Sequence, residues 1–210
     1  MGRRLAPRLL LGDGMRQDDL GKITRQLGRP PRGVVCVAKR CLAGHPQVIT
    51  TYPIYWGKGQ PKIFPTLYWL TCPALKGQVG GLETEGWINR LQQRVETDDT
   101  LANKWDEAHD QYAKERVRLV PSEELALLKE RYPAQAQVLE AAGVGGIRGR
   151  GIKCLHTHLA HHLADPNGSV SKPNPIGDIV AGLLRKQGIT MDFCYDEEWE
   201  RFCRGCGVDS

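Results

Sequence analysis

The sequence predicts an α+β fold, a small antiparallel sheet of about three strands followed by a mainly helical portion. Two observations predict it. Residues 34–38 (VVCVA), 47–54 (QVITTYPI) and 66–71 (TLYWLT) are short runs rich in β-branched and aromatic residues, close together in the chain. From Pro73 to about residue 142 the apolar residues recur at helical spacing instead. Strands first and helices after is the order of an α+β chain, not of alternating βα units.

Each element has its own signal. Residues 17–27 (QDDLGKITRQL) read as a short helix, with Asp18 near its N-cap and Gly28 as its stop. GRPPRG follows as a stiff, basic turn before the first strand, and YWGKGQPKIFP is a loop before the third. Pro73 suits the first turn of a helix beginning after Cys72. Asp98 or Asp99 is expected to cap TLANKWDEAHDQYAKERVRLV, and Ser122 to cap EELALLKERYPAQAQVLEAA, which Pro133 should kink or break. GVGGIRGRG (143–151) reads as a flexible connection, residues 152–164 as a histidine-rich helix and DPNGSVSKPN as a polar loop. Asn174 then caps a helix that starts at Pro175. No internal repeat is visible.

The 210 residues, 40% hydrophobic and 25% charged, suit one soluble domain with a sizeable core. The expected organisation is a basic, disordered arm (1–16), a single α+β metal-binding domain (17–190) and a Cys-rich extension (191–210). The opening MGRRLAPRLLLGDGM is too brief in its apolar run for a signal-peptide core, and Met15 is an alternative start. No stretch approaches the ~18 apolar residues of a membrane helix. Residues 1–40 hold ten Lys or Arg against three Asp, so the net charge of +5 sits in this end and the remainder comes to minus two. Nucleic acid is therefore a partner only through the basic arm. Seven cysteines, an odd number, without a signal peptide point to a reducing, cytoplasmic setting in which thiols stay free or bind metal.

The densest chemistry is in RGRGIKCLHTHLAHHLAD (148–165), where Cys154 and four of the six histidines fall within nine positions. At about 100° per residue, Ile152, Leu155, Leu159 and Leu163 form one apolar stripe. Cys154, His158 and His161 fall within about 60° of one another on a different face, with His162 at its edge and His156 across the stripe. Thiolate and imidazole are the ligands zinc prefers. One helix rarely completes a tetrahedral site. Cys41, in a tight turn with His45 nearby, and Cys72, at a strand end where a helix dipole favours thiolate, are the expected partners. Cys36 reads as a core residue.

The residues QLGRPPRG, VAKRC, GHPQVI, FPTLYWLTCPAL, an AH with a following Tyr and Arg, and KCLH with a later AH, from about 19 to 186 and in this order, resemble an uncharacterised bacterial family catalogued as domain of unknown function 501. The resemblance carries no activity. It implies that Cys41, Cys72, Cys154, His156 and His161 belong to the family motifs, whereas His158 and His162 do not. The family often has Cys-Pro-Cys-Gly where this chain has CLAG, so Ala43 stands in place of a second cysteine. The expected metal set is Cys41, Cys72, Cys154 and His161, with His156 and His158 as alternates. Cys3His favours zinc, an iron–sulfur cluster being the alternative.

Other candidates are weaker. His109, Tyr112 and Arg116 share one helical face, either an acid–base histidine beside an anion-binding arginine or a polar face making structural hydrogen bonds. Arg148, Arg150 and Lys153, in a Gly-rich segment just before Cys154, are candidate anion binders. Arg29 and Arg32 in GRPPRG are another phosphate-type turn, although neither segment has P-loop or dinucleotide spacing. Cys194, Cys203 and Cys206 could hook a second metal. Two readings follow: a closed structural metal in a binding or regulatory module, which three thiolates favour, and a metal-dependent hydrolase or transferase acting on an anionic, phosphorylated substrate.

Overall fold

The computed structural model describes residues 15–57, 59–164 and 174–191. The arm at 1–14, the loop 165–173 and the tail with Cys194, Cys203 and Cys206 lie outside the described residues.

The helix α1 (Asp19–Leu27) ends at Gly28, which takes the left-handed conformation (φ 70°) that closes the last turn at least cost without a Cβ. Asp18 occupies the N-cap position without accepting the capping hydrogen bond. The neighbouring Asp19 is the buried anchor, accepting from the Arg16 backbone N–H and from both Arg40 guanidinium nitrogens at 2.8 and 2.5 Å. This pins α1 to β1 (Val34–Arg40).

Strand β2 (Pro46–Thr51) is buried along its whole length because it is central. It pairs antiparallel with β1 on one side and β5 (Tyr68–Leu70) on the other. The side chains alternate between two covered faces. Val48 and Leu70 join the main core with the helices, while Ile49, Val37 and Trp69 face Ile23 of α1. A separate hairpin, β3 (Ile54–Tyr55) with β4 (Lys62–Ile63), makes a second, two-stranded sheet. The small antiparallel sheet predicted from the sequence is present, with one strand cut short by the turn at Pro53.

The helices follow: α2 (Pro73–Thr84), α3 (Trp87–Thr97), α4 (Asp99–Arg118), α5 (Ser122–Arg131), α6 (Pro133–Ala141), α7 (Leu155–Leu163) and α8 (Pro175–Lys186). Asp98 caps α4 through a 3.0 Å bond from the Leu101 N–H. Ser122 is the first residue of α5 rather than its cap; Pro121 holds that position. Pro133 splits α5 from α6, since it brings no N–H to continue the ladder. The Gly-rich segment is no loose connection. Val144–Gly146 forms a 3-10 turn with Val144 fully buried, and the Gly143 N–H donates to the Ile147 carbonyl.

The helix α7 runs through the middle of the main core, against β5, α2 and α8. Leu155, Leu159 and Leu163 are buried, as the predicted stripe requires. Its contact with α8 is so close that a Cβ on Gly177 would overlap the His158 carbonyl oxygen and His162 Cβ. Gly177→Ala is therefore expected to destabilise the protein by about 1–3 kcal/mol. Overlap with backbone outweighs the ~1 kcal/mol that alanine gains in a helix. A lower melting temperature by calorimetry checks this; an unchanged or raised one means the helices can separate freely.

Candidate functional site

Helix α7 begins at Leu155, three residues after the start of the 152–164 helix that the sequence suggests. Cys154 is its N-cap, with extended backbone (φ −161°, ψ 128°), so its sulfur leaves the face shared by His158 and His161. The cysteine turns instead toward the end of α2. There Cys154 Sγ lies 3.5 Å from His156 Nδ1, and the same nitrogen lies 3.1 Å from Glu83 Oε1. These three residues are all half-buried, and their donor atoms lie within 4.8 Å of one another. Among the described residues they are the one group of three or more His, Cys, Asp or Glu so placed.

The surroundings fix the geometry. His156 Nε2–H donates to the Lys76 carbonyl at 3.1 Å, which leaves Nδ1 facing sulfur and carboxylate. Glu83 Oε1 accepts the Leu155 N–H at 2.6 Å, satisfying one orphan donor of the α7 first turn. The hydrogen bond that His156 Nδ1–H gives to Cys154 raises His156 to about 9 against burial, with Glu83 adding to it.

Cys41, Cys72, Cys154 and His161, the set expected from the sequence, do not form one group. Cys41 and Cys72 are buried at the sheet margin, and Cys72 belongs to the main core. Cys36 is half-buried on β1. His158 and His161 point the other way, into the interior, where Asn174 decides their chemistry. The Asn174 Oδ1 caps α8 by accepting the Gly177 N–H at 2.8 Å, so its Nδ2 is directed at His158 Nδ1 (3.4 Å) and His161 Nδ1 (3.1 Å). Both Nδ1 atoms must accept, and each proton then sits on Nε2. A neutral imidazole with its lone pair given to an amide N–H has none left for a metal. His156 alone of the four α7 histidines has a carbonyl on its Nε2 side and metal-type donors on the other.

The α4 trio is also interior. His109 Nδ1 accepts the Val144 N–H at 3.0 Å, and burial lowers His109 to about 4. The Tyr112 hydroxyl accepts the Leu67 N–H at 2.6 Å at the edge of β5. Burial raises Tyr112 to about 12. Arg116, fully buried, donates to the carbonyls of Leu139 (2.8 Å), Pro65 (2.9 Å) and Ala142. These are the contacts of the structural alternative.

Of the candidate anion binders, Arg150 is paired with Asp106 at 2.8 Å on the surface, and Arg148 is exposed. Lys153 does line a groove of about 470 Å³ that also has Arg29, Lys76, Tyr68, Thr157, Cys154 and His156 in its walls. Sequence reasoning missed Glu83, which lies more than seventy positions before its partners in a stretch, LETEGW, with no ligand spacing.

Fold and site together define a small α+β protein with a half-buried Glu–Cys–His cluster whose Cys154 and His156 line a cationic groove. The chain belongs to the family described as protein of unknown function (DUF501), whose model matches residues 37–182, well over half of its length. No curated protein and no solved structure matches it. No helix among the described residues is long and apolar enough to cross a membrane.

Proposed function

We propose that Glu83, Cys154 and His156 hold a metal ion, zinc first, at an open site, and that the protein is a metal-dependent hydrolase or transferase acting on an anionic, phosphorylated substrate. The orientation of His156 supports this most directly. A ligating histidine typically gives its other N–H to a carbonyl or carboxylate, which fixes the tautomer, and Lys76 supplies that carbonyl. Three protein donors with Cys154 and His156 on a groove wall correspond to a catalytic rather than a closed structural site. A metal there supplies Lewis acidity. Lys153, Lys76 and Arg29 hold the anionic group in the groove, and none of the residues lining it is acidic.

The test is metal content of the full chain, purified without oxygen and without added metal. One zinc per chain in a colourless solution is expected, lost in Cys154→Ser and Glu83→Gln and kept in Cys41→Ser. Zinc that follows Cys41 and Cys72 but ignores Glu83 would restore the closed thiolate site, and a brown solution with iron and sulfide would make it a cluster. The 3.5 Å sulfur–imidazole contact favours a second reading if no metal is found. Cys154 is then a nucleophile paired with His156, and alkylation by iodoacetamide should modify Cys154 faster than Cys41 or Cys72.

A further inference from the structure

A second cavity, of about 130 Å³, opens between the turn after α1, one face of β2 and the β3–β4 hairpin. Four aromatic side chains line it, Tyr52, Tyr55, Phe64 and Trp69, together with Arg29 and Arg32 of the GRPPRG turn. Arg29 Cζ lies 5.6 Å from the Trp69 ring centroid and Arg32 Cζ 5.9 Å from that of Tyr55. Stacked this way, a guanidinium keeps its N–H edge for an anion. Neither arginine has a carboxylate partner among the described residues, and no acidic side chain lines the cavity. Tyr55, Trp56 and Phe64 stand exposed on the hairpin, unusual for large aromatic residues that no partner uses.

This cavity adjoins the groove of the Glu–Cys–His cluster, for Leu27, Arg29 and Trp69 belong to the walls of both. Alone it is smaller than the ~300–1,000 Å³ of an ordinary ligand site, but the two together fall inside that range. An apolar, aromatic-walled end, an arginine at the junction and a lysine-lined remainder describe a ligand with a planar ring at one end and negative charge along its length. We propose that the two cavities bind one nucleotide. Its base lies among Tyr55, Phe64 and Trp69, and its phosphates run from Arg29 toward Lys76 and Lys153. Rings of any base can stack on such walls, so the site recognises nucleotides as a class. An apolar protein segment fits poorly, because the ring-lined cavity is too small for a helix and is framed by two cations without a carboxylate partner among the described residues.

The inference rests on the anionic-substrate reading of the groove and adds the identity of the substrate's remote part. The experiment is calorimetric titration of the full chain with ADP, GDP, CDP and UDP, and with adenosine and pyrophosphate separately. At least one nucleoside diphosphate is expected to bind about tenfold or more tighter than pyrophosphate and than adenosine. Phe64→Ala and Arg29→Ala, both at exposed positions, should each weaken it at least about fivefold without altering the melting temperature or metal content. Pyrophosphate binding as tightly as every nucleotide, indifference to Phe64→Ala, or no nucleotide binding at all would overturn the proposal. Glu83→Gln separates the two readings. It should abolish metal binding and leave nucleotide binding in place, so either can fail while the other stands.

Discussion

Arg116→Ala is expected to lower stability by about 3–5 kcal/mol, from the donors that buried carbonyls lose and from the cavity left by a large side chain. The guanidinium is fully buried and lies over the Tyr112 ring (5.7 Å). It is the donor that three segments share: the Pro65 carbonyl before β5, Leu139 in α6 and Ala142 just after it. Removing it leaves three buried carbonyls without that donor and opens a cavity where α4, α6 and the sheet meet. In a chain of this size each kcal/mol moves the melting temperature by about 2–4 °C, so a fall of about 6–20 °C should be visible by calorimetry. Arg116→Lys should recover little of it, because one ammonium cannot reach three divergent carbonyls as a planar fork does. A small effect for Arg116→Ala would mean that water replaces the guanidinium readily and that the residue is not the keystone of this corner.

Acid should unfold the protein well before ordinary carboxylates titrate. Burial, aided by mutual repulsion, lowers His158 and His161 to about 3, and burial lowers His109 to about 4. Asp106 and Asp110 near His109, and Glu115 Oε2 at 3.7 Å from His161, oppose the shift without cancelling it. The folded state therefore binds fewer protons than the unfolded chain, whose histidines titrate near 6.5. The stabilisation is whole above 6.5 and falls as the pH drops from there toward about 3. Together the three sites draw on several kcal/mol of a total that is itself only about 5–15 kcal/mol. His156 does the opposite: its raised value stabilises below 6.5 and is lost as the pH climbs through about 9. Urea unfolding at intervals from pH 7.5 to 4.5 should show a steep decline that His158→Gln flattens. A profile level down to pH 5 would mean that the buried imidazoles accept protons in the folded state.

How much of this was legible in the sequence depends on the range of the signal. The sheet, most helix limits, the buried stripe of α7, the Asp98 and Asn174 caps and the break at Pro133 could be read, because each follows from neighbours a few residues apart. So could the family, through motifs such as FPTLYWLTCP. The Glu83–Cys154–His156 cluster could not. The later start of α7, with Cys154 extended instead of helical, took the sulfur off the face that a helical wheel assigns it. Which histidine turns its Nδ1 to the thiol was decided by two distant groups, the Asn174 amide and the Lys76 carbonyl, and by Glu83 at the far end of α2.

By itself the sequence determined the α+β architecture, the concentration of thiol and imidazole at the start of α7 and the basic turn at Arg29 and Arg32. Local propensity, periodicity and composition carry that much. Only the tertiary structure decided that Cys154 meets Glu83 and His156, and that His109, Tyr112 and Arg116 make buried hydrogen bonds to the backbone. It also brought Arg29 between an aromatic cavity and a cationic groove. The reason is physical: hydrogen-bond partners and pocket walls come from residues tens of positions apart, which only packing brings within a few ångströms.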